Sequence, residues 1–196
     1  RTCLLALVVA VSSASLCQAG RFNRTLDIGD KAPGWENIEG VDGQKHSLDE
    51  YSSAKAIVFF FTCNHCPFAQ SMEERIIQLQ KDYAEAGVQL VALSVSPYDE
   101  DKLPAMKEHA KERGFNFPYL YDESQDVGRA WGARSTPEFF LLDQNRDIAY
   151  MGSMDDGDLN REPKKHYLRD AIEAVLAKGD VEKPETKPRG CSIQYK

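Results

Sequence analysis

The run Ala56-Ile57-Val58-Phe59-Phe60-Phe61, followed directly by Thr62-Cys63-Asn64-His65-Cys66-Pro67, decides how this chain folds. The apolar run is too short for a core helix and shows no polar alternation. It reads as a strand buried on both faces, as in a parallel or mixed sheet. Beyond Pro67 the pattern turns helical: Phe68, Met72, Ile76, Leu79 and Tyr83 recur at spacings of three and four, and Gly87 is a natural stop. Proline is tolerated in a first helical turn because its missing N–H is not needed there. Cys63 and Cys66 therefore fall where a buried strand hands over to a helix N-terminus.

That position carries chemistry. The thiolate is the reactive form of cysteine, and the unpaired amides and positive dipole end of a helix start are expected to lower the pKa of Cys63. Two cysteines three apart on a first turn can close a disulfide. Cys63 is the expected outer, attacking sulfur, and Cys66, one turn in and more buried, the resolving one. His65 lies between them, where an imidazole would stabilise the thiolate further. A purely structural bridge is the plainer reading, but so short a loop gains little from closure. A metal clip would use Cys63, Cys66 and a histidine. Redox exchange is the stronger expectation, with no metal and no cofactor beyond the redox-active disulfide.

The chain has 196 residues and a net charge of −7, which suits one domain and argues against nucleic acid or anionic membrane as main partner. At the N-terminus, Leu4 to Val11 form an apolar block behind Arg1, followed by small residues and Cys17-Gln18-Ala19 before Gly20. This reads as a signal peptide over residues 1–19, too short for a comfortable membrane span. The expectation is an exported protein, periplasmic or secreted, soluble after cleavage. Cys63, Cys66 and Cys191 then remain, and an odd count in an oxidising compartment suits redox chemistry better than a stapled scaffold.

In chain order, Trp35 to Val41, an Asp42-Gly43 turn and Gln44 to Leu48 read as a hairpin that holds His46 on an exposed strand. Val88 to Val95 is a second buried strand, and Ser96 to Asp101 a polar loop. Leu103 to Arg113 is a surface helix stopped by Gly114, and Tyr119 to Tyr121 a short strand. Asp122 with Gln125 resembles a capping box for a helix carrying Val127, Ala130 and Trp131. Thr136-Pro137 leads a strand to Asp143, with a return from Ile148 to Met151; a strand's first residue admits proline. Pro163 to Lys178 closes the domain as an amphipathic helix. Val181 to Arg189 is a Lys/Glu/Pro-rich linker, expected to be extended and mobile, ending in Gly190-Cys191-Ser192-Ile193.

This series resembles the thioredoxin fold. The leading hairpin and the insertion at residues 96–125 resemble the redoxin branch, which includes peroxiredoxins of the alkyl hydroperoxide reductase group and exported TlpA/ResA-type oxidoreductases. The likeness is strongest to a peroxiredoxin-like subgroup with a Cys-Asn-His-Cys-Pro site and a Gly-Cys-Ser-Ile tail, and it spans residues 27–195. The resemblance implies an α/β fold with a central mixed sheet flanked by helices. It also implies a cis-proline loop at Thr136-Pro137 beside the sulfurs, where the Thr136 backbone pairs with the substrate chain.

The chain departs from its relatives in places. Ile57 stands where thioredoxins carry a buried acid, and Ala69 where ResA-like proteins carry a glutamate, so the proton acceptor for Cys66 falls to His65 or water. The Pro and Thr/Ser that precede a peroxidatic cysteine are replaced by Ala56 and Phe60 for Cys63, and by Phe59 and Cys63 for Cys66. Arg129 or Arg134 is left as a candidate cation.

The resulting expectation is three segments: the signal peptide 1–19, a thioredoxin-like domain 20–180 and a flexible tail 181–196. The function expected is exchange of two electrons between Cys63/Cys66 and protein thiols or disulfides, with a recycling reductase or oxidase as partner. The alternatives are a thiol peroxidase whose Cys63 attacks hydrogen peroxide, and a metal (copper) carrier. Cys191 is a candidate auxiliary redox residue: it would reduce the Cys63–Cys66 disulfide, pair with another chain, or be incidental.

Overall fold

The computed structural model describes residues 20–196, and the expected signal segment lies outside them. The hairpin is present as β1 (Ile38–Gly40) and β2 (Lys45–His46), followed by β3 (Ala56–Phe61) and α1 (Pro67–Tyr83). Next come β4 (Val88–Ser94), α2 (Leu103–Arg113), β5 (Tyr119–Tyr121) and α3 (Asp126–Ala130). The chain ends in β6 (Ser135–Thr136), β7 (Glu138–Leu142), β8 (Ile148–Gly152), α4 (Tyr167–Leu176) and β9 (Cys191–Ser192). Seven strands form one mixed sheet in the order β2-β1-β5-β4-β3-β7-β8. The strand quoted first is its spine: β3 runs parallel to β4 and antiparallel to β7.

Period two along an all-apolar strand explains the two cores. Ala56, Val58 and Phe60 point to one face, where Met72, Ile76 and Leu79 of α1, Met106 of α2 and Leu168 and Ile172 of α4 cover them. Ile57, Phe59 and Phe61 point to the other, against Leu26, Trp35, Val127 and Trp131. Phe59 stacks on Trp35 with ring centroids 4.4 Å apart, which fixes the N-terminal segment to the sheet. Each fully buried aromatic or aliphatic side chain contributes roughly 1.5–3 kcal/mol. Both cores therefore clamp the strand that ends at Cys63. Among the described residues no helix is long and apolar enough to cross a membrane.

Three local expectations differ from what is found. The last helix begins at Tyr167 rather than Pro163, because the Asp156 carboxylate accepts the Lys164 and Lys165 amides at 2.7 and 2.9 Å and holds that stretch outside the helix. Asp122 accepts the Gln125 and Val127 amides at 3.2 and 2.9 Å, but the helix starts later than expected, at Asp126, with Gln125 in the N-cap position and no reciprocal bond from its side chain. Its amide instead donates to the carbonyls of Val95 and Gln194 at 2.7 and 2.8 Å.

The third difference is the tail. Expected as a mobile linker, it lies along the domain. Thr186 is buried, its hydroxyl accepts the Ser153 amide at 2.9 Å, and its own amide donates to Met151 O at 3.0 Å. Composition alone reads Lys/Glu/Pro as solvated, whereas the tail's backbone and hydroxyl groups find partners along β8 that composition does not register.

Candidate active site

Both sulfurs are buried at the β3–α1 junction, Cys63 with 4 % of its surface exposed and Cys66 with none. Cys66 caps α1 and Pro67 opens its first turn. The Thr136–Pro137 peptide is cis, and Thr136 faces both cysteines. Its hydroxyl lies 3.3 Å from Cys63 Sγ, and its carbonyl oxygen accepts from Cys66 Sγ at 3.0 Å. Strand pairing brings this about. Phe61, the last residue of β3, is opposite Glu138 of β7, so the residues just before β7 lie beside those just after β3. The buried Glu138 carboxylate holds that loop by accepting the Arg134 and Ser135 amides at 2.8 and 3.0 Å. Burial pushes Glu138 up to about 7.

The loop between the cysteines is held by a residue the sequence reading passed over. Asp101, expected in a polar loop, is fully buried. Its Oδ1 accepts the backbone N–H groups of Asn64 and His65 at 2.7 and 3.1 Å. Its Oδ2 takes the Ser96 hydroxyl and His65 Nδ1, each at 2.5 Å. Asn64 completes the clasp, donating to Glu100 O at 2.7 Å and accepting the Tyr119 hydroxyl at 3.0 Å. With Nδ1–H given to Asp101, Nε2 is left as the ring's basic nitrogen. The donor atoms of Cys63, His65 and Asp101 lie within 4.8 Å of one another. The only sequence signal for Asp101 was an acidic cluster in an inserted loop, and such clusters are ordinarily solvated.

The electrostatics reverse one expectation. Cys63 is the sulfur expected to carry the depressed pKa; within the coupled pair, the hydrogen bond between the two thiols favours the thiolate at Cys66 over Cys63. Cys66 is lowered to about 4, first by the hydrogen bond from Cys63, then, against the cost of burial, by the Cys191 thiol and the backbone amides of Ala69 and Cys191. The Cys66 S–H bond to the Thr136 carbonyl oxygen is made while Cys66 is protonated. Cys63 is pushed well above the ordinary thiol range by its hydrogen bond to Cys66, by burial and by the Asp101 charge. The helix-start amides therefore act one turn further in than the sequence suggested.

Of the remaining candidates, Cys191 is in the site. It lies opposite Thr136 in the antiparallel β6–β9 pair and packs against Cys63, Cys66 and Ala69. The edge that the resemblance assigns to a substrate chain is thus taken by the protein's own tail. Arg129 is committed elsewhere: it donates to Lys196 O at 2.7 Å and stacks on Tyr195. Arg134 contributes its backbone amide to Glu138.

A buried Cys-x-x-Cys at a strand–helix junction, faced by a cis-proline loop in a mixed sheet, defines a thioredoxin-fold redox protein. The redoxin family profile matches residues 27–166, and the chain belongs to that family. A solved structure described as an uncharacterized conserved protein from Geobacillus kaustophilus superposes with a TM-score of 0.83 at 34% identity, covering 89% of this chain and 95% of that one. A Mycobacterium tuberculosis (strain CDC 1551 / Oshkosh) relative named "Putative peroxiredoxin MT2597" is 29% identical over 115 residues, 59% of this chain and 69% of its own. "Thiol-disulfide oxidoreductase ResA" of Geobacillus thermodenitrificans (strain NG80-2) is 25% identical over 169 residues, 86% of this chain and 92% of its own.

Proposed function

We propose that this chain is an exported thiol–disulfide oxidoreductase that exchanges two electrons with protein thiols or disulfides through Cys63 and Cys66. The observation that carries the reading is the pair of buried sulfurs at the strand–helix junction, both held against Thr136 of the cis-proline loop. In the reducing direction Cys63 attacks a client disulfide and passes its proton to the Cys66 thiolate beside it. One client sulfur leaves as thiolate, and the other is bonded to Cys63. Cys66 then gives its proton to a base, His65 or water, and attacks Cys63. The products are the Cys63–Cys66 disulfide and a reduced client. Run backwards, the same steps oxidise a dithiol, with a reductase or oxidase resetting the pair. Export rests on the leader pattern of residues 1–19.

The test is trapping. With a protein disulfide such as insulin, Cys66→Ser is expected to accumulate a covalent adduct through Cys63, while Cys63→Ser forms none. Undiminished turnover by Cys63→Ser would sink the assignment.

One observation favours a second reading, thiol peroxidase. Cys63, His65, Tyr98, Thr136 and Ile193 are among the residues lining a cavity of about 20 Å³, room for one water-sized molecule such as hydrogen peroxide. There Cys63 would take an oxygen from peroxide and condense with Cys66, releasing water. Stopped-flow oxidation of the reduced protein by hydrogen peroxide separates the two. A rate near that of free cysteine supports disulfide exchange, and one several orders of magnitude faster makes the protein a peroxidase.

A further inference from the structure

We propose that Cys191 is a third redox residue of this site, held by the docked tail for internal exchange with the Cys63–Cys66 disulfide. The proposal rests on the thiol–disulfide reading above and adds a step to it.

Three independent features place Cys191. The first is the β6–β9 pair, which sets Cys191 opposite the same Thr136 that touches both catalytic sulfurs. The second is packing: the half-buried Cys191 lies against the buried cluster that Cys63, Cys66 and Ala69 form.

The third is a surface shaped for the tail. A Cβ at Gly190 would overlap the Thr136 carbonyl group, so only glycine lets the tail backbone approach β6 this closely. A Cβ at Gly152 would overlap Thr186, and one at Gly128 would meet the Tyr195 hydroxyl at 2.7 Å. Polar groups finish the fit. Gln125 accepts the Lys196 amide at 2.8 Å, Tyr195 donates to Ala133 O at 2.7 Å, and the Ile193 amide donates to Arg134 O at 3.0 Å. A tail that merely trailed from α4 would not need a glycine of its own, glycines on β8 and α3, and a buried glutamine turned away from its own helix.

The chemistry balances without an added oxidant. Starting from the Cys63–Cys66 disulfide, Cys191 gives up its proton and attacks Cys66 Sγ. The Cys66–Cys191 bond forms, the Cys63–Cys66 bond breaks, and Cys63 leaves as thiolate and takes up the proton. One disulfide and one thiol are present before and after. The outcome is that Cys63, which lines the cavity, is freed while the protein remains oxidised, and the tail is bonded to the start of α1. In the fully reduced protein Cys191 is pushed up to about 11, first by burial and then by the neighbouring Cys66 sulfur. Oxidation of Cys66 removes that second cause, so the tail thiol becomes easier to ionise at the stage where it is needed.

The experiment is disulfide mapping of the 196-residue chain with Cys3 and Cys17 replaced by serine, which leaves Cys63, Cys66 and Cys191. The protein is oxidised with glutathione disulfide, its remaining thiols are blocked with iodoacetamide, and the label is located by peptide mass. Label divided between Cys63 and Cys191, together with a Cys66–Cys191 linked peptide, is the expected result. Gly190→Val, which cannot dock β9, is expected to move the label wholly to Cys191 and keep the Cys63–Cys66 bridge. Label on Cys191 alone in the wild type would overturn the proposal and leave the parent reading intact. Label on all three cysteines would overturn both. Cys63→Ser gives a second arm that does not depend on the glycine variant folding: oxidation should yield a direct Cys66–Cys191 bridge, and glutathione adducts without that bridge would count against it.

Discussion

At the scale of single residues, the site depends on one buried carboxylate and two coupled thiols. Asp101 pairs four donors, two of them backbone amides of the active-site loop. Asp101→Ala would strand those groups in a buried setting at about 1–3 kcal/mol for each one left unpaired. We expect a loss of roughly 2–4 kcal/mol in denaturant unfolding of the reduced protein. Exchange should also slow by at least about tenfold, since ~1.4 kcal/mol of lost positioning suffices for that. The thiol pair makes a pH prediction. The folded pKa of Cys66 is depressed from the ordinary thiol value to about 4, so its thiolate stabilises the reduced fold above the unfolded cysteine pKa and the contribution is lost as pH falls through about 4. The reduced form should therefore weaken relative to the disulfide form as pH drops from 9 towards 4. Thiolate ultraviolet absorbance should titrate near the lower value in wild type and not in Cys66→Ser. A titration that stayed with Cys63 in that comparison would return the thiolate to the outer sulfur. Cys66 and Asp101 also mark the limit of local reading: a helix-start rule identifies a favourable end, but which of two sulfurs meets the amides depends on the turn of the backbone.

Among the elements, β3 and β9 differ in how they are specified. β3 carries its own evidence, six apolar residues that can only be buried. β9 is two residues long and exists because a partner edge and a glycine permit it. Gly152→Val tests this at a distance from the sulfurs. Gly152 ends β8 with φ of +134°, where a side chain is strained by about 1–3 kcal/mol, and its Cβ would displace Thr186. We expect faster amide exchange across residues 184–196 and a stability loss of that order. Unchanged protection of those amides would mean that the tail does not need the Thr186 anchor.

For the molecule as a whole, both cores converge on one strand, so the site inherits its rigidity from global packing. Phe60 stacks on Phe139 at 5.2 Å and meets Phe117 edge-on at 5.5 Å. Phe60→Ala should cost about 3–5 kcal/mol through lost burial and the cavity left behind. The check is a lower denaturant midpoint with an unchanged slope, since the fold that unfolds is the same. A mere surface-like loss below about 0.5 kcal/mol would contradict the placement of this ring in the core.

The sequence by itself determined the sheet's spine, the helix that follows it, the hairpins on either side and the two cysteines at the junction. Each of these is written in local terms, through apolar periodicity, breaker residues and spacing, and local terms survive without knowledge of what lies opposite. Only the tertiary structure decided that Thr136 faces both sulfurs, that Asp101 leaves a solvated-looking loop to clasp His65, and that a Lys/Glu/Pro-rich tail returns to set Cys191 beside Cys66. The Asp101–His65 and Cys66–Cys191 approaches join residues 36 and 125 positions apart, where burial and partners are supplied by the far side of the fold. Composition and periodicity report a residue's own preferences, and the energies that settled these three points belong to pairs.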